Sequence, residues 1–176
     1  MERSERGYTL VEILVATVML AIIAGIAIPS FLAYTQRSRL DAAVRQIVED
    51  VREARSRASL RGWQYRIYGF NYGAASAYKN QYRLMGRSSS AIAWPADAAT
   101  PFETATQVVG MWNDMSTAYP GVRINPTDGT LHFWVAFDAR GVAIDVDDSF
   151  DPLQVTHQTG GTKSVSVTTA GSIRIQ

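Results

Sequence analysis

The residue with the strongest chemical implication stands near the start of the chain, where an acid meets a long apolar stretch. Glu12 is followed by twenty residues, Ile13 to Leu32, that carry no charge. At ~1.5 Å per residue, a helix of this length covers about 30 Å, the hydrocarbon thickness of a bilayer. An unpaired carboxylate at mid-membrane costs on the order of 2.5–3.5 kcal/mol, and less near the edge. The pattern predicts a membrane-spanning helix in which Glu12 either pairs with a positive group or reaches the headgroups.

Gly25 and Pro29 form a second unusual pair inside the same stretch. Proline has no N–H to donate to the carbonyl of Gly25, and glycine loosens the same turn. The spacing predicts a kink or local unwinding of the helix. The alternative is a proline that is simply tolerated near the helix end.

Four carboxylates lie within seven residues, at Asp145, Asp147, Asp148 and Asp151. A loop of alternating acids can wrap a hard cation such as calcium. The spacing lacks the glycine and the terminal glutamate of an EF-hand loop, so a solvated acidic turn is favoured over a calcium site. The chain has no cysteine, which excludes disulfides and zinc-thiolate sites.

Residues suited to catalysis are few. His132 lies in a strand pattern and His157 at a strand end, without a cysteine nucleophile, a serine elbow or a phosphate-binding loop to accompany them. Gly160 and Gly161 indicate a turn, because no helix pattern or lysine follows at the spacing of a phosphate-binding loop. We therefore expect no enzymatic activity and no cofactor.

The distribution of charge argues against a dedicated nucleic-acid binder. The net charge is +1. Seven arginines and four acids lie between Arg37 and Arg61, whereas residues 62–176 hold eight basic and nine acidic residues. A nucleic-acid module would usually show a clustered basic surplus on its folded domain.

The elements that must position these residues begin with an amphipathic helix from Tyr34 to about Arg61. Apolar residues recur there at steps of three and four, which predicts a buried face, and charged residues fill the solvated sides. Gly62 is a plausible stop. The apolar positions are Leu40, Val44, Ile47, Val48, Val51, Ala54 and Ala58.

After Gly62 the pattern changes to short stretches rich in β-branched and aromatic residues. Tight turns at 138–141, 159–162 and 170–171 predict antiparallel sheets folded over one another, one of them covered by the helix. Residues 86–106 are predicted to form a long surface loop that Trp94 and Phe102 anchor to the domain or present to a partner. The candidate strands are Trp63–Phe70, Gln81–Met85, Gln107–Trp112, Val122–Ile124, Leu131–Phe137, Val142–Asp145, Leu153–Thr156, Lys163–Thr168 and Ser172–Ile175.

The stretch from Gly7 to Val15 resembles the class III signal of type IV pilins and type II secretion pseudopilins. The resemblance implies that a prepilin peptidase cleaves between Gly7 and Tyr8 and that Tyr8, where the family usually has Phe, is N-methylated. It implies that Glu12 recruits an incoming subunit by meeting the amino terminus of a neighbour. It also implies that the helix loosens near Pro29 in the assembled filament.

Motifs further along the chain are similar to those of the GspH/FimT group of minor pilins. They are Ala54–Ala58, Gly62 before a strand, Phe137–Gly141, Ser164–Val167 and Gly171–Ile175. The resemblance implies a β-sandwich-like head on the pilin helix, at or near the filament tip. Some FimT-like members bind DNA through a Gly-Arg-x-Arg motif, which corresponds here to Gly171, Ser172 and Arg174, so the first arginine is missing. Lys163 and Arg140 are further candidates for a DNA contact.

The expected organisation is an α+β chain with a leader at 1–7, a membrane and filament-core helix at 8–33, an amphipathic helix at 34–61 and a β-rich head at 62–176. The expected function is a minor pilin or pseudopilin subunit of a type IV pilus or type II secretion filament; the alternative is a tip module that binds DNA or a surface ligand. The resemblance implies other pilins, prepilin peptidase and an inner-membrane assembly platform as partners. It places the chain in a bacterial inner membrane with its head in the periplasm, and then in the filament.

Overall fold

The computed structural model describes residues 8–126, 131–146, 150 and 152–176. The chain divides into two compact units, residues 1–36 and 37–176. Helix α1, Leu10–Arg61, contributes its first part to one unit and its second part to the other. The prediction of one helix running through both patterns is therefore confirmed.

In the first unit, α1 has no polar face. Its large apolar side chains are exposed, from Leu10 at 81% to Leu32 at 52%. The hydroxyl groups of Thr17, Ser30 and Thr35 donate to backbone carbonyls three or four residues earlier, so each hydroxyl is satisfied within the helix. A helix that is apolar all round and satisfied internally is suited to lipid or to packing against other helices.

In the second unit, α1 is amphipathic as predicted. Every apolar position assigned to its buried face is at most 4% exposed, and Ala43 joins them. The helix ends in a Schellman motif: Gly62 has a φ of +68°, and the Trp63 N–H donates to the Ala58 carbonyl at 3.2 Å. Gly62 is thus the stop that the sequence indicates.

Eleven strands of the described chain form two antiparallel sheets. The strands are β1 Gln64–Phe70, β2 Gln81–Arg87, β3 Phe102–Glu103, β4 Gln107–Val109, β5 Asn113–Asp114, β6 Val122–Pro126, β7 His132–Phe137, β8 Ala143–Val146, β9 Leu153–His157, β10 Thr162–Val167 and β11 Ile173–Ile175. Sheet A has the order β3-β4-β2-β1-β7-β8 with β5 paired to β2, and sheet B has the order β11-β10-β9-β6. A short helix, α2 Met115–Ala118, precedes β6.

One hydrophobic core joins the helix to both sheets. Its members include Val51 from α1, Ile67 and Phe133 from sheet A, and Val155 and Val165 from sheet B. The helix therefore covers a core shared by two sheets, which confirms the predicted class of a long helix packed on an antiparallel, sandwich-like head.

Several boundaries differ from the sequence prediction. The loop predicted at 86–106 is shorter, because Arg87 still belongs to β2 and residues 102–103 form β3. The strand predicted at 107–112 ends at Val109, and the chain pairs with β2 again as β5 after a shift of one residue in the register. Helix α2 was also missed: Asp114 caps it by accepting from the N–H groups of Ser116 and Thr117.

Candidate functional site

The beginning of α1 is a capped helix start that contains Glu12. Thr9 precedes the first helical residue, and its hydroxyl and carbonyl oxygens accept from the Glu12 N–H at 3.2 and 3.1 Å. Glu12 thus occupies the third helical position of a Thr-x-x-Glu arrangement, where the helix dipole favours a negative charge. The acid stabilises its own helix start and leaves a carboxylate available to a cation.

The surroundings of Glu12 are otherwise apolar and open. Tyr8 is 80% exposed, and an 18-residue window within α1 reaches a mean hydropathy of 2.6. One helix in the described chain is long and apolar enough to cross a membrane, a criterion that a signal sequence near the amino terminus also meets. Gly7 lies outside the described residues. The arrangement can insert into lipid and can hold an amino group at the acid.

Gly25 and Pro29 lie inside α1, which is assigned as helix on both sides of them. An added Cβ at Gly25 would meet no atom within 4 Å. The local unwinding that their spacing predicts is not present in the isolated chain. The expectation for an assembled filament concerns a different environment and stays a prediction.

The basic residues considered for DNA contacts are not brought together. The Lys163 ammonium pairs with Asp41 on α1 at 2.7 Å. Lys163 lies two residues before the buried Val165 on β10 and shares its face, whereas Arg174 is paired in register with Ser166 on the other face, so Lys163 and Arg174 lie on opposite faces of sheet B. Arg140 pairs with Asp138 within its own turn.

Gly171 has a structural role that the sequence did not reveal. Its carbonyl accepts from Arg55 Nη1 at 2.8 Å, while Arg55 Nε donates to the Gly141 carbonyl at 2.9 Å. Gly171 has a φ of +76°, and a Cβ there would lie 2.6 Å from the Gly141 carbonyl oxygen. Glycine is needed at 171 because a helix arginine holds two hairpin turns together.

The acidic stretch can be followed only in part. Asp147, Asp148 and Asp151 lie outside the described residues. Asp145 is paired in register with Ala136 on β7 and is exposed, and its charge acts on Arg66 and Arg87. Within the described ranges no group of three or more His, Cys, Asp or Glu side chains could hold a metal ion.

Both histidines have structural neighbours. His132 stacks on Trp134 with ring centroids 5.2 Å apart. His157 is buried, and its Nδ1 lies 2.7 Å from the Thr159 hydroxyl in the turn between β9 and β10.

The outward face of sheet A carries a continuous layer of aromatic rings. Tyr78 and Trp112 stack with centroids 4.4 Å apart, and the layer continues through Tyr68 to the stack of His132 on Trp134. Most of these side chains are half-buried. Its members are Tyr68, Phe70, Tyr78, Trp112, His132 and Trp134.

Three arginines lie among these rings and hold the 88–101 loop. Trp94 lies between Arg66 and Arg87, 4.6 and 4.2 Å from their guanidinium carbons, so Trp94 anchors the loop. Arg83 is fully buried against Trp112 and donates to the carbonyls of Asp97 and Ala99. Burial lowers the pKa of Arg66 to about 10.

A groove runs along α1 on the other side of sheet A. Two cavities of about 270 and 180 Å³ adjoin at Asn113, between the helix and residues 110–118. Asp50 lies in it and accepts from the Tyr82 hydroxyl at 2.5 Å and from Asn113 Nδ2 at 3.2 Å. Burial, followed by the charges of Glu53 and Glu49, raises the pKa of Asp50, although two hydrogen bonds oppose the rise.

Comparison with known proteins gives a local match and a distant structural likeness. Residues 3–28 match the family model described as the prokaryotic N-terminal methylation motif. The chain therefore carries this methylation motif, and Gly7, Tyr8 and Glu12 fall within it.

Two crystal structures of the type IV minor pilin FimU from Pseudomonas aeruginosa strain PAO1 are similar to this chain. The structure in space group P21 is 14% identical, with a TM-score of 0.48 over 81% of this chain and 92% of FimU. The structure in space group P65 is 12% identical, with a TM-score of 0.45 over 77% of this chain and 91% of FimU. No curated protein sequence matches the chain.

Sequence reasoning missed the roles of Arg55 and Asp50. Both are charged residues of α1, and the helical pattern assigns neither of them a partner in the head. Their partners are 32 to 116 residues away, on turns and strands that only the fold brings to the helix. The Thr-x-x-Glu spacing at Thr9 and Glu12, by contrast, was a readable signal of the helix start.

Proposed function

We propose that this protein is a minor pilin-like subunit that assembles into a filament through the first part of α1. The observation that carries the proposal is the methylation motif over residues 3–28, which coincides with an exposed apolar helix that has one acid in its first turn. A type IV pilus and a type II secretion filament both fit this chemistry.

In this proposal, prepilin peptidase cleaves the chain after Gly7 and the new amino group of Tyr8 is methylated. The chain is held in the bacterial inner membrane by residues 8–33 until assembly, with its head on the periplasmic side. An inner-membrane assembly platform then moves it into the filament, where its neighbours are other pilins.

Glu12 is the group that selects a neighbour. A carboxylate and an amino terminus are each costly when unpaired in an apolar environment, and much less so as a hydrogen-bonded pair. A neighbour that presents its amino terminus at Glu12 removes both costs. The surrounding apolar side chains then pack against other helices instead of lipid, and the Gly25–Pro29 turn can unwind during this exchange.

The test is mass spectrometry of the native protein, combined with replacement of the acid. Cleavage at Gly7 leaves a chain that begins with Tyr8 and carries one additional methyl group. Glu12→Ala should still be cleaved and remain in the membrane but fail to enter filaments. An intact Met1 in the native protein, or cleavage at another bond, would contradict the proposal.

A second candidate function is recognition of DNA or a surface ligand by the head, at the filament tip. The observation that favours it is the aromatic layer on sheet A, since stacked rings near arginines suit planar or ring-shaped ligands. Gly171, Lys163 and Arg174 do not support it as a group, because they lie apart.

Gel shifts of the purified full chain in detergent test this second function. Single-stranded DNA should bind with an affinity that falls steeply with salt, and Trp134→Ala should weaken the binding. Arg174→Ala serves as the matched comparison on sheet B. Binding that depends on Arg174 and not on Trp134 would move the site away from the aromatic layer.

A further inference from the structure

The groove along α1 has the composition of a site for a positively charged side chain. Its helix side carries Asp50, Glu53 and Arg57, and its floor includes the apolar Ile67 and Leu84. Met111 stands at its edge with 76% of its surface exposed. An amphipathic groove of this kind suits the long side chain of an arginine, whose stem is apolar and whose head is charged.

Asp50 is fixed by hydrogen bonds to only one of its two carboxylate oxygens. Both of its described hydrogen bonds, from Tyr82 and Asn113, go to the same oxygen, Oδ2. The other oxygen, Oδ1, accepts no hydrogen bond in the described part of the chain. It is also not one of the fully buried polar atoms that lack a partner, so Oδ1 remains accessible from the groove. A carboxylate fixed through one oxygen is preorganised to accept a donor at the other.

The charge of the groove also favours a cation. Glu53 is engaged by Arg57 at 2.6 Å, and Glu49 lies close enough to raise the pKa of Asp50. The side chains that line the two cavities include three acids, Asp50, Glu53 and Asp114, and one arginine, Arg57, so the groove is negative. Arg37 and Arg39 on the same helix are exposed, and neither makes an ion pair among the described residues.

We propose that the groove binds Arg39 of a second copy of this chain. This interface rests on the proposed function, because it requires copies packed side by side in a filament. Arg39, Gln46, Asp50 and Arg57 fall on one stripe of α1 by helical periodicity. A parallel copy shifted by eleven residues, about 16 Å, places its Arg39 opposite Asp50 and its Gln46 opposite Arg57.

The proposed contact uses one stripe of α1 on both copies, because Arg39 and Asp50 fall on that stripe. A parallel pair shifted by eleven residues forms one contact between Arg39 and Asp50 and covers the stripe of both copies, so the contact joins two copies. The contact therefore adds a second, head-level bond to an assembly that Glu12 begins in the membrane.

Disulfide trapping in the native cells tests the contact, and the absence of cysteine from the chain makes the experiment clean. Ala42 is exposed one turn after Arg39, so Ala42→Cys with Met111→Cys places one thiol on each side of the contact while the arginine is kept. Filament fractions should contain a disulfide-linked dimer. Ala42→Cys with the exposed Ala170→Cys is the matched control and should give at least about tenfold less dimer.

Charge substitutions in the same double-cysteine chain identify the pair. Arg39→Glu should lower dimer yield about tenfold, the scale of coupling between close charges, and adding Asp50→Asn, which removes the carboxylate that the new acid would repel, should cause no further loss. Arg37→Glu changes the net charge equally on another side of the helix and should have no effect. Equal loss with Arg37→Glu and Arg39→Glu would overturn the proposal.

The two proposals fail in different ways. If mature chain is absent from filament fractions even without the charge substitutions, the proposed function is wrong. If mature chain enters filaments but the Met111 and Ala170 variants give equal dimer, only the groove contact is wrong.

Discussion

The first part of α1 and the head differ in how far each satisfies its own side chains. In residues 8–36 the apolar side chains face outward, with Ile26 at 70% exposure and Phe31 at 66%. In the head, Phe137, Val155 and the helix residue Val51 are fully buried. The helix start thus requires an external partner, whether lipid or another helix, whereas the head has a complete core.

The same contrast holds for charge. Glu12 has no ion pair among the described residues, whereas Arg55 and Lys163 in the head are held by backbone carbonyls and by Asp41. A group left unpaired within an apolar surface is a candidate for a contact between molecules. A group whose donors are already used is part of the fold.

Removing the unpaired carboxylate of Glu12 is the most direct test of this difference between the first part of α1 and the head. Glu12→Leu should leave the head fully folded and the chain in the membrane, yet reduce its amount in sheared filaments by at least about tenfold, because a neighbour's amino terminus would remain unpaired in apolar surroundings. Immunoblots of membrane and filament fractions measure this. Glu12→Gln keeps the shape without the charge, and normal assembly of that variant would show that charge is not what selects the neighbour.

Removing Arg55, whose donors are already bound within the head, should destabilise the fold instead of preventing assembly. Arg55→Met should lower the free energy of unfolding of the head by about 3 kcal/mol, because up to three carbonyls lose a charged donor. Denaturant unfolding of the purified full chain in detergent measures the change. Arg55→Lys is the control: it keeps the charge without the planar fork and should recover only part of the loss. An unchanged midpoint for Arg55→Met would show that the arginine does not hold the turns.

Two glycines in hairpin turns allow the cost of a close contact to be compared with the cost of backbone strain alone within the head. Gly171→Ala should destabilise by about 2 kcal/mol, since φ is positive and the new Cβ meets the Gly141 carbonyl. Gly160→Ala is matched, with a φ of +113° but no atom within 4 Å, and should cost about 1 kcal/mol from backbone strain alone. Thermal unfolding distinguishes them, and equal losses would mean that the close approach at Gly171 relaxes freely.

The smallest effect concerns Asp50. Its pKa in the folded head is raised by burial, so the folded state binds a proton more readily than the unfolded state does. Ionised Asp50 therefore lowers stability above its folded pKa. This penalty disappears as the pH falls toward the ordinary value of 3.8. Asp50→Asn should raise neutral-pH stability by up to about 1 kcal/mol, with the gain shrinking in acid. A gain that is constant with pH would assign the effect to packing.

Features set by local pattern were predictable from the sequence. The buried stripe of α1, the stop at Gly62 and the turn at 138–141 follow from residue spacing and from glycine's tolerance of positive φ. The nine candidate strands all occur, with ends that differ by up to three residues. Glu12 could also be singled out from the sequence, because a charged carboxylate is costly beside a long apolar stretch.

Features that depend on distant partners were not predictable. Strands β3 and β5 are two residues long and exist only because a neighbouring strand pairs with them. Arg55 and Asp50 look like other charges on a solvated helix face until the fold brings carbonyls and Tyr82 to them. The placement of Lys163 and Arg174 on opposite faces of sheet B likewise follows from strand alternation, which their spacing in the sequence alone does not reveal.

The hydrogen bonds from Arg55 to the Gly141 and Gly171 carbonyls bear on how the head responds to salt. A guanidinium group keeps its proton at any physiological acidity, and a peptide carbonyl does not titrate. The joint between the two hairpin turns is also partly buried, where dissolved ions screen poorly. The head should therefore keep this joint from low to high salt concentration.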